Sequence, residues 1–258
     1  LATFSETIDT AFPDEAILAI RATAEAYLAL CGDDAEWSPQ AQRVLKDLPM
    51  ELDDGGAYRI VRDGDPEYLR CPSITLGAWP LRHLPANEAM RKSLRKELSR
   101  IVSVFAWMPH QLSALASRLG ECDGPTSAYA ILKEADGFYK TWHAFDEWEN
   151  RRTARAKIFV TAAGGFCTAI HHMLLAEGEP GVLNIFPGIP PHWKDCAFEN
   201  LTTPLGWSVS AKLQDGVIVS IKARPVHSGA APVTLQLGHP HGEISLPESC
   251  LVRTSDDT

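Results

Sequence analysis

Three consecutive pieces of the chain decide how its fold is read: Thr161-Ala162-Ala163-Gly164-Gly165-Phe166, then Ala169-Ile170-His171-His172-Met173-Leu174-Leu175, then Val182-Leu183-Asn184-Ile185-Phe186-Pro187-Gly188-Ile189-Pro190-Pro191-His192-Trp193. The first two read as one helix, from about Gly164 to Leu175. Beyond Gly181 the pattern changes to period two. Trp207, Val209, Ala211 and Leu213 alternate with Ser208, Ser210 and Lys212; Val217, Val219 and Ile221 then alternate with Ile218, Ser220 and Lys222. Asp215-Gly216 between the runs is a hairpin signal, because a two-residue turn there needs positive φ at both positions. Val233 to Leu237 and Glu243 to Leu246 read as further strands, separated by Gly238-His239-Pro240-His241-Gly242. Residues 1–178 are therefore expected to form a helical domain and residues 179–258 a small β domain.

Working back toward the start, Pro13-Asp14-Glu15 opens a helix that continues through Ala16 to Leu30 and stops at Gly32. A second helix is expected over Ala41 to Leu48. From Glu51 to Leu84 the clusters Asp53-Asp54-Gly55-Gly56 and Asp63-Gly64-Asp65-Pro66 predict loop, with a short strand at Tyr58 to Val61; so long a loop is usually functional. Helices resume with Asn87 as N-cap, running to about Trp107, then from Pro109 to Leu119 with a stop at Gly120, then from Thr126 to Glu134.

Composition narrows the function classes. The 258 residues carry a formal charge of −9, which argues against a nucleic-acid backbone or an anionic membrane surface as partner, since both require a basic face. No apolar run approaches the ~18 to 20 residues needed to cross a bilayer. The six cysteines, at 31, 71, 122, 167, 196 and 250, show neither a C-x-x-C pair nor zinc-type spacing, so disulfides and buried thiols both stay open.

The order of features from Thr161 onward resembles the end of the catalytic toroid in the α-L-fucosidases of glycoside hydrolase family 95. In that family a Gly-rich helix start leads to a Met-Leu-Leu helix end, a proline-punctuated segment closing on tryptophan, and a β-domain. The likeness continues through Phe198-Glu199-Asn200-Leu201, Gly206-Trp207-Ser208-Val209 and the Asp215-Gly216 turn. Upstream, Trp107, Gln111-Leu112 and Ala116-Ser117-Arg118-Leu119-Gly120 resemble the family's alanine-rich helix. It covers roughly Trp37 to Lys222 and is strongest from Thr161 on. The fold it implies is α plus β in separate domains, a partial (α/α)6 toroid followed by a C-terminal antiparallel β-sandwich. At ~11 to 12 residues per helix plus connections, residues 1–178 supply about half of such a ring. The resemblance then implies that the usual general-acid glutamate lies before Leu1, or on a second chain that completes the toroid.

Glycoside hydrolysis needs one carboxylic acid to protonate the leaving oxygen and a second carboxylate on the other face of the sugar. The family places a water-activating aspartate just before the Gly-rich helix start. Here the matching residue is Thr161, whose hydroxyl cannot act as a general base at neutral pH. The nearest replacement is Trp142-His143-Ala144-Phe145-Asp146-Glu147-Trp148-Glu149, which sets acids beside aromatic faces suited to a sugar ring. Glu147 is the first candidate catalytic residue and Asp146 the second, with Trp148 and Thr161 as substrate-binding candidates; a solvated acidic loop paired with Arg151, Arg152 and Arg155 is the plainer reading. Trp79, Arg82 and His83 in the long loop are further substrate-binding candidates, or a tryptophan plug and its neighbours. Trp107 and Gln111, four residues apart, share a helical face and complete the set, core packing being the plainer role for Trp107.

The histidines carry less. Adjacent on a helix, His171 and His172 diverge by ~100° and cannot share a metal, one facing the core and one a loop; His239 and His241 read as an exposed, solvated pair. Trp193 and Trp207 are expected to pack the interface of the β domain. The expected partner is an oligosaccharide or polysaccharide, with no cofactor and no metal, and a secreted location is favoured. Two rivals remain: a non-catalytic carbohydrate-binding or structural portion, and a toroid-type polysaccharide lyase using Tyr139, His143 and Arg151.

Overall fold

The computed structural model describes residues 13–48, 52–58, 84–98, 107–121, 124, 126–134, 160–242 and 250–253. Among the described residues six helices come first and seven strands follow: α1 Pro13–Cys31, α2 Ser38–Asp47, α3 Glu88–Leu98, α4 Trp107–Arg118, α5 Ala128–Glu134 and α6 Val160–Leu174, then β1 Leu175–Glu177, β2 Val182–Ile185, β3 Cys196–Thr202, β4 Trp207–Gln214, β5 Val217–Pro225, β6 Val233–Leu237 and β7 Cys250–Arg253. The chain divides into two compact units, Leu1–Val104 and Phe105–Thr258. The change from helix to strand comes between Leu174 and Leu175, within the second unit.

In the first unit, α1 begins on a proline whose missing N–H costs nothing in a first turn, and stops at Gly32, whose φ of 80° lets its N–H reach Leu28 O at 2.9 Å. α2 packs beside it. Arg21 of α1 donates from Nη1 to Leu45 O (2.9 Å) and Leu48 O (2.6 Å), so a guanidinium takes up carbonyls at the α2 end that have no partner within the helix. Asn87 caps α3 as its sequence predicts, accepting from the Met90 N–H at 3.0 Å. Leu52 and Tyr58 meet in an isolated antiparallel bridge. Between them Asp53 accepts from the N–H groups of Gly55 and Ala57, each at 3.0 Å, and pairs through its other oxygen with Lys96 of α3. The bond from Lys96 holds the Asp53 carboxyl below the ordinary value of 3.8, with the two N–H groups assisting against the opposing effect of burial.

The second unit is built around α4, buried at every residue from His110 to its last, Arg118. It ends in a Schellman motif: Gly120, at φ 72°, donates to Ser117 O at 3.1 Å, and Glu121 N–H donates to Ala116 O at 3.0 Å. A further donor comes from a distant part of the chain: Asn184 Nδ2 donates to Arg118 O (3.1 Å) and, alongside Gly120, to Ser117 O (3.2 Å). The same segment closes α6, with Phe186 N–H donating to Leu174 O at 2.9 Å and Gly188 N–H to Met173 O at 3.4 Å. Every residue from Val182 to Pro190 is buried as a result. α5 is capped by Ser127, whose Oγ accepts from Ala130 N–H at 3.2 Å, and it packs on α4 through Ser113 Oγ, which donates to Ala128 O at 3.0 Å.

The strands form two sheets, β1-β2-β6-β7 and β3-β4-β5. The second is the expected antiparallel meander, and Asp215 (φ 51°) and Gly216 (φ 78°) make the hairpin with both residues left-handed. The first departs from antiparallel expectation: β1 pairs antiparallel with β2, but β2 with β6 and β6 with β7 are parallel. Parallel neighbours need a long crossover, and the β3–β5 meander supplies it between β2 and β6. Phe186 adopts φ 54° at the end of β2 and sets its ring edge-on to Phe198 of β3 at 5.3 Å, a contact between the sheets. Trp207 is wholly buried and donates to Ala231 O at 2.8 Å, whereas Trp193 is exposed, contrary to the packing role expected for both. The predicted strand at Glu243 to Leu246 lies outside the described residues.

Five substitutions test these contacts. Asn184→Ala removes the buried amide that donates to Ser117 O and Arg118 O and is expected to cost about 1–3 kcal/mol in urea unfolding, with Asn184→Asp costing more at neutral pH because a carboxylate cannot donate. A Cβ on Gly188 would stand 2.6 Å from Ala128 Cβ and 2.8 Å from Ser117 Oγ, while one on Gly164 meets nothing within 4 Å. Gly188→Ala should therefore destabilise by about 1–3 kcal/mol, and Gly164→Ala should stabilise α6 by up to about 1 kcal/mol, both read from denaturation midpoints. Asp53 has a depressed folded-state pKa, so its contribution is present above the ordinary value of 3.8 and is lost as pH falls through the folded value. Comparing Asp53→Asn with the parent across pH should show a stability gap at neutrality that closes in acid.

Candidate functional site

α4 and α6 run in the same direction. Near their starts, His110 of α4 lies against Gly165 of α6, where a Cβ would come within 3.2 Å of His110 Cβ; near their ends, Ser117 and Met173 both face Gly188. Gly165 is thus the residue that lets the two helices approach. The His110 ring, 1% exposed, meets Phe166 edge-on at 5.7 Å. With their C-terminal carbonyls taken up by the segment from Asn184 to Gly188, the two helices hold their N-terminal ends at one end of the unit. Unpaired N–H groups give such ends a partial positive charge, which favours a carboxylate or a developing oxyanion there.

Three sequence candidates fall on this pair of helices. Trp107 is the first residue of α4, Gln111 lies in its second turn and is 8% exposed, and Thr161 is the second residue of α6. The N-terminal end of α6 reaches the surface at Val160, which is 77% exposed. Glu147, Asp146, Trp148, Trp79, Arg82 and His83 lie outside the described residues. Burial of Gln111 makes it a hydrogen-bonding residue of the interior, positioned by α4 rather than presented on a surface.

The remaining titratable groups sort by environment. His172 is buried on α6, and its Nδ1 lies 2.9 Å from Thr168 O, so that nitrogen carries the proton and donates. Burial lowers the pKa of the neighbouring His171. His239 departs from the solvated pair expected of it: it is half-buried, and burial together with the charge of Lys194 lowers its pKa, while His241 is exposed. Cys31 and Cys167 are exposed free thiols and Cys196 is a partly buried one, its pKa raised by burial and by Asp195. Among the described residues no three His, Cys, Asp or Glu side chains converge as a metal site, and no helix is long and apolar enough to cross a membrane.

Two residues of this framework escape a reading of the sequence for chemistry. His110 gives no local sign of its contact with Gly165, which is made across more than fifty residues of chain. Asn184 does leave a sign, being the polar residue inside the apolar run Val182-Leu183-Asn184-Ile185-Phe186, where burial obliges it to hydrogen-bond. No protein-family model and no curated protein matches the chain.

Replacing Gly165 with Leu should force α4 and α6 apart at His110. The expected loss is about 1–3 kcal/mol of stability, measured by thermal or urea unfolding, with a smaller effect for Gly165→Ala because the His110 ring has only a few tenths of an ångström to yield.

Proposed function

We propose that this chain is part of a glycoside hydrolase: the closing helices of an α-L-fucosidase-like (α/α)6 toroid and the β-sandwich that follows it, acting on an oligosaccharide or polysaccharide. The observation that carries the reading is the arrangement of α4 and α6, parallel neighbours pinned by a β segment at one end. A ring of helical hairpins needs its inner helices parallel, each returning through an outer helix, and α5 packed on α4 suits that role. The motif resemblance from Thr161 to Lys222 falls on α6, β2 and the β3–β5 meander.

In this reading the sugar lies at the N-terminal ends of α4 and α6, with Thr161 hydrogen-bonding to its hydroxyls, Trp107 supplying an aromatic face, and the buried Gln111 supporting the site from the interior. Glu147 serves as the carboxylate nearest the bond, assisted by Asp146 and Trp148, and the partner acid comes from a preceding segment or a second chain. Trp79, Arg82 and His83 extend the substrate contacts. Protonation of the leaving oxygen and attack by water require no cofactor.

Thr161 favours a second reading. With a hydroxyl where the related enzymes carry a carboxylate, the same arrangement suits a non-catalytic carbohydrate-binding portion. Both are tested by incubating the purified protein, together with the segment or second chain that supplies the partner acid, with aryl α-L-fucosides and fucosylated oligosaccharides, following sugar release and, separately, binding by calorimetry. The hydrolase reading expects turnover that falls at least about 100-fold in Glu147→Gln with KM little changed. Binding without turnover selects the second reading, and neither binding nor turnover overturns both.

A further inference from the structure

We draw no further inference here: the strongest candidate, the apolar groove between α1 and α2 lined by Ile20, Ala24, Tyr27, Trp37 and Val44, with Trp37 57% exposed, carries nothing because nothing in the structure shows what covers it.

Discussion

A helix that ends inside a protein leaves carbonyl oxygens that water cannot reach, and each must find a donor or weaken the fold. In the second unit both α4 and α6 end this way, and one segment of chain answers both. Asn184 reaches back to Ser117 O and Arg118 O, and the N–H groups of Phe186 and Gly188 meet Leu174 O and Met173 O. Close approach makes these bonds possible. Gly178 and Gly188 stand where any Cβ would strike Asn184, Ser117 or Ala128, so the glycines are part of the same device. The parallel course of the two helices, the burial of β2 and the seating of Phe186 on Phe198 all follow from it.

The first unit applies the same physics with different residues. There Arg21 supplies the donors at the end of α2, and Asp53 gathers two backbone N–H groups and the Lys96 ammonium into one turn. In each unit the polar contacts that matter are those closing otherwise unsatisfied backbone groups, more than the ion pairs on exposed faces. Arg43–Asp47, for example, is an exposed i,i+4 pair of the kind that contributes little. The candidate site depends on these bonds indirectly: by ending both helices at the β segment, the fold leaves their N-terminal ends together and directs two partial positive charges toward one place.

Much of this was legible in the sequence where the cause is local. Proline at the start of α1, Asn87 before α3, Gly120 after α4 and Asp215-Gly216 between β4 and β5 each act within a few residues, and each acts where the sequence predicts. What was not legible depends on partners far away in the chain. The parallel pairing of β2 with β6 is set by the crossover between them, and period-two alternation is blind to strand direction. The half-burial of His239 depends on its surroundings rather than its neighbours in sequence. On the candidate site, the sequence identified Gln111 and Thr161 as residues of interest, and the pairing of their helices needed Gly165 and His110 to be seen in contact.

Native-state hydrogen exchange of the parent protein tests the central claim most directly, by measuring the opening free energy of the amides at the end of α4, along β2 and through residues 186 and 188. If one segment terminates both helices, these amides open together, with a single free energy and a shared dependence on denaturant. Protection at Gly120 and Glu121 that differs by several kcal/mol from that at Phe186 and Gly188 would mean that the two helix ends are held independently, and would contradict the account.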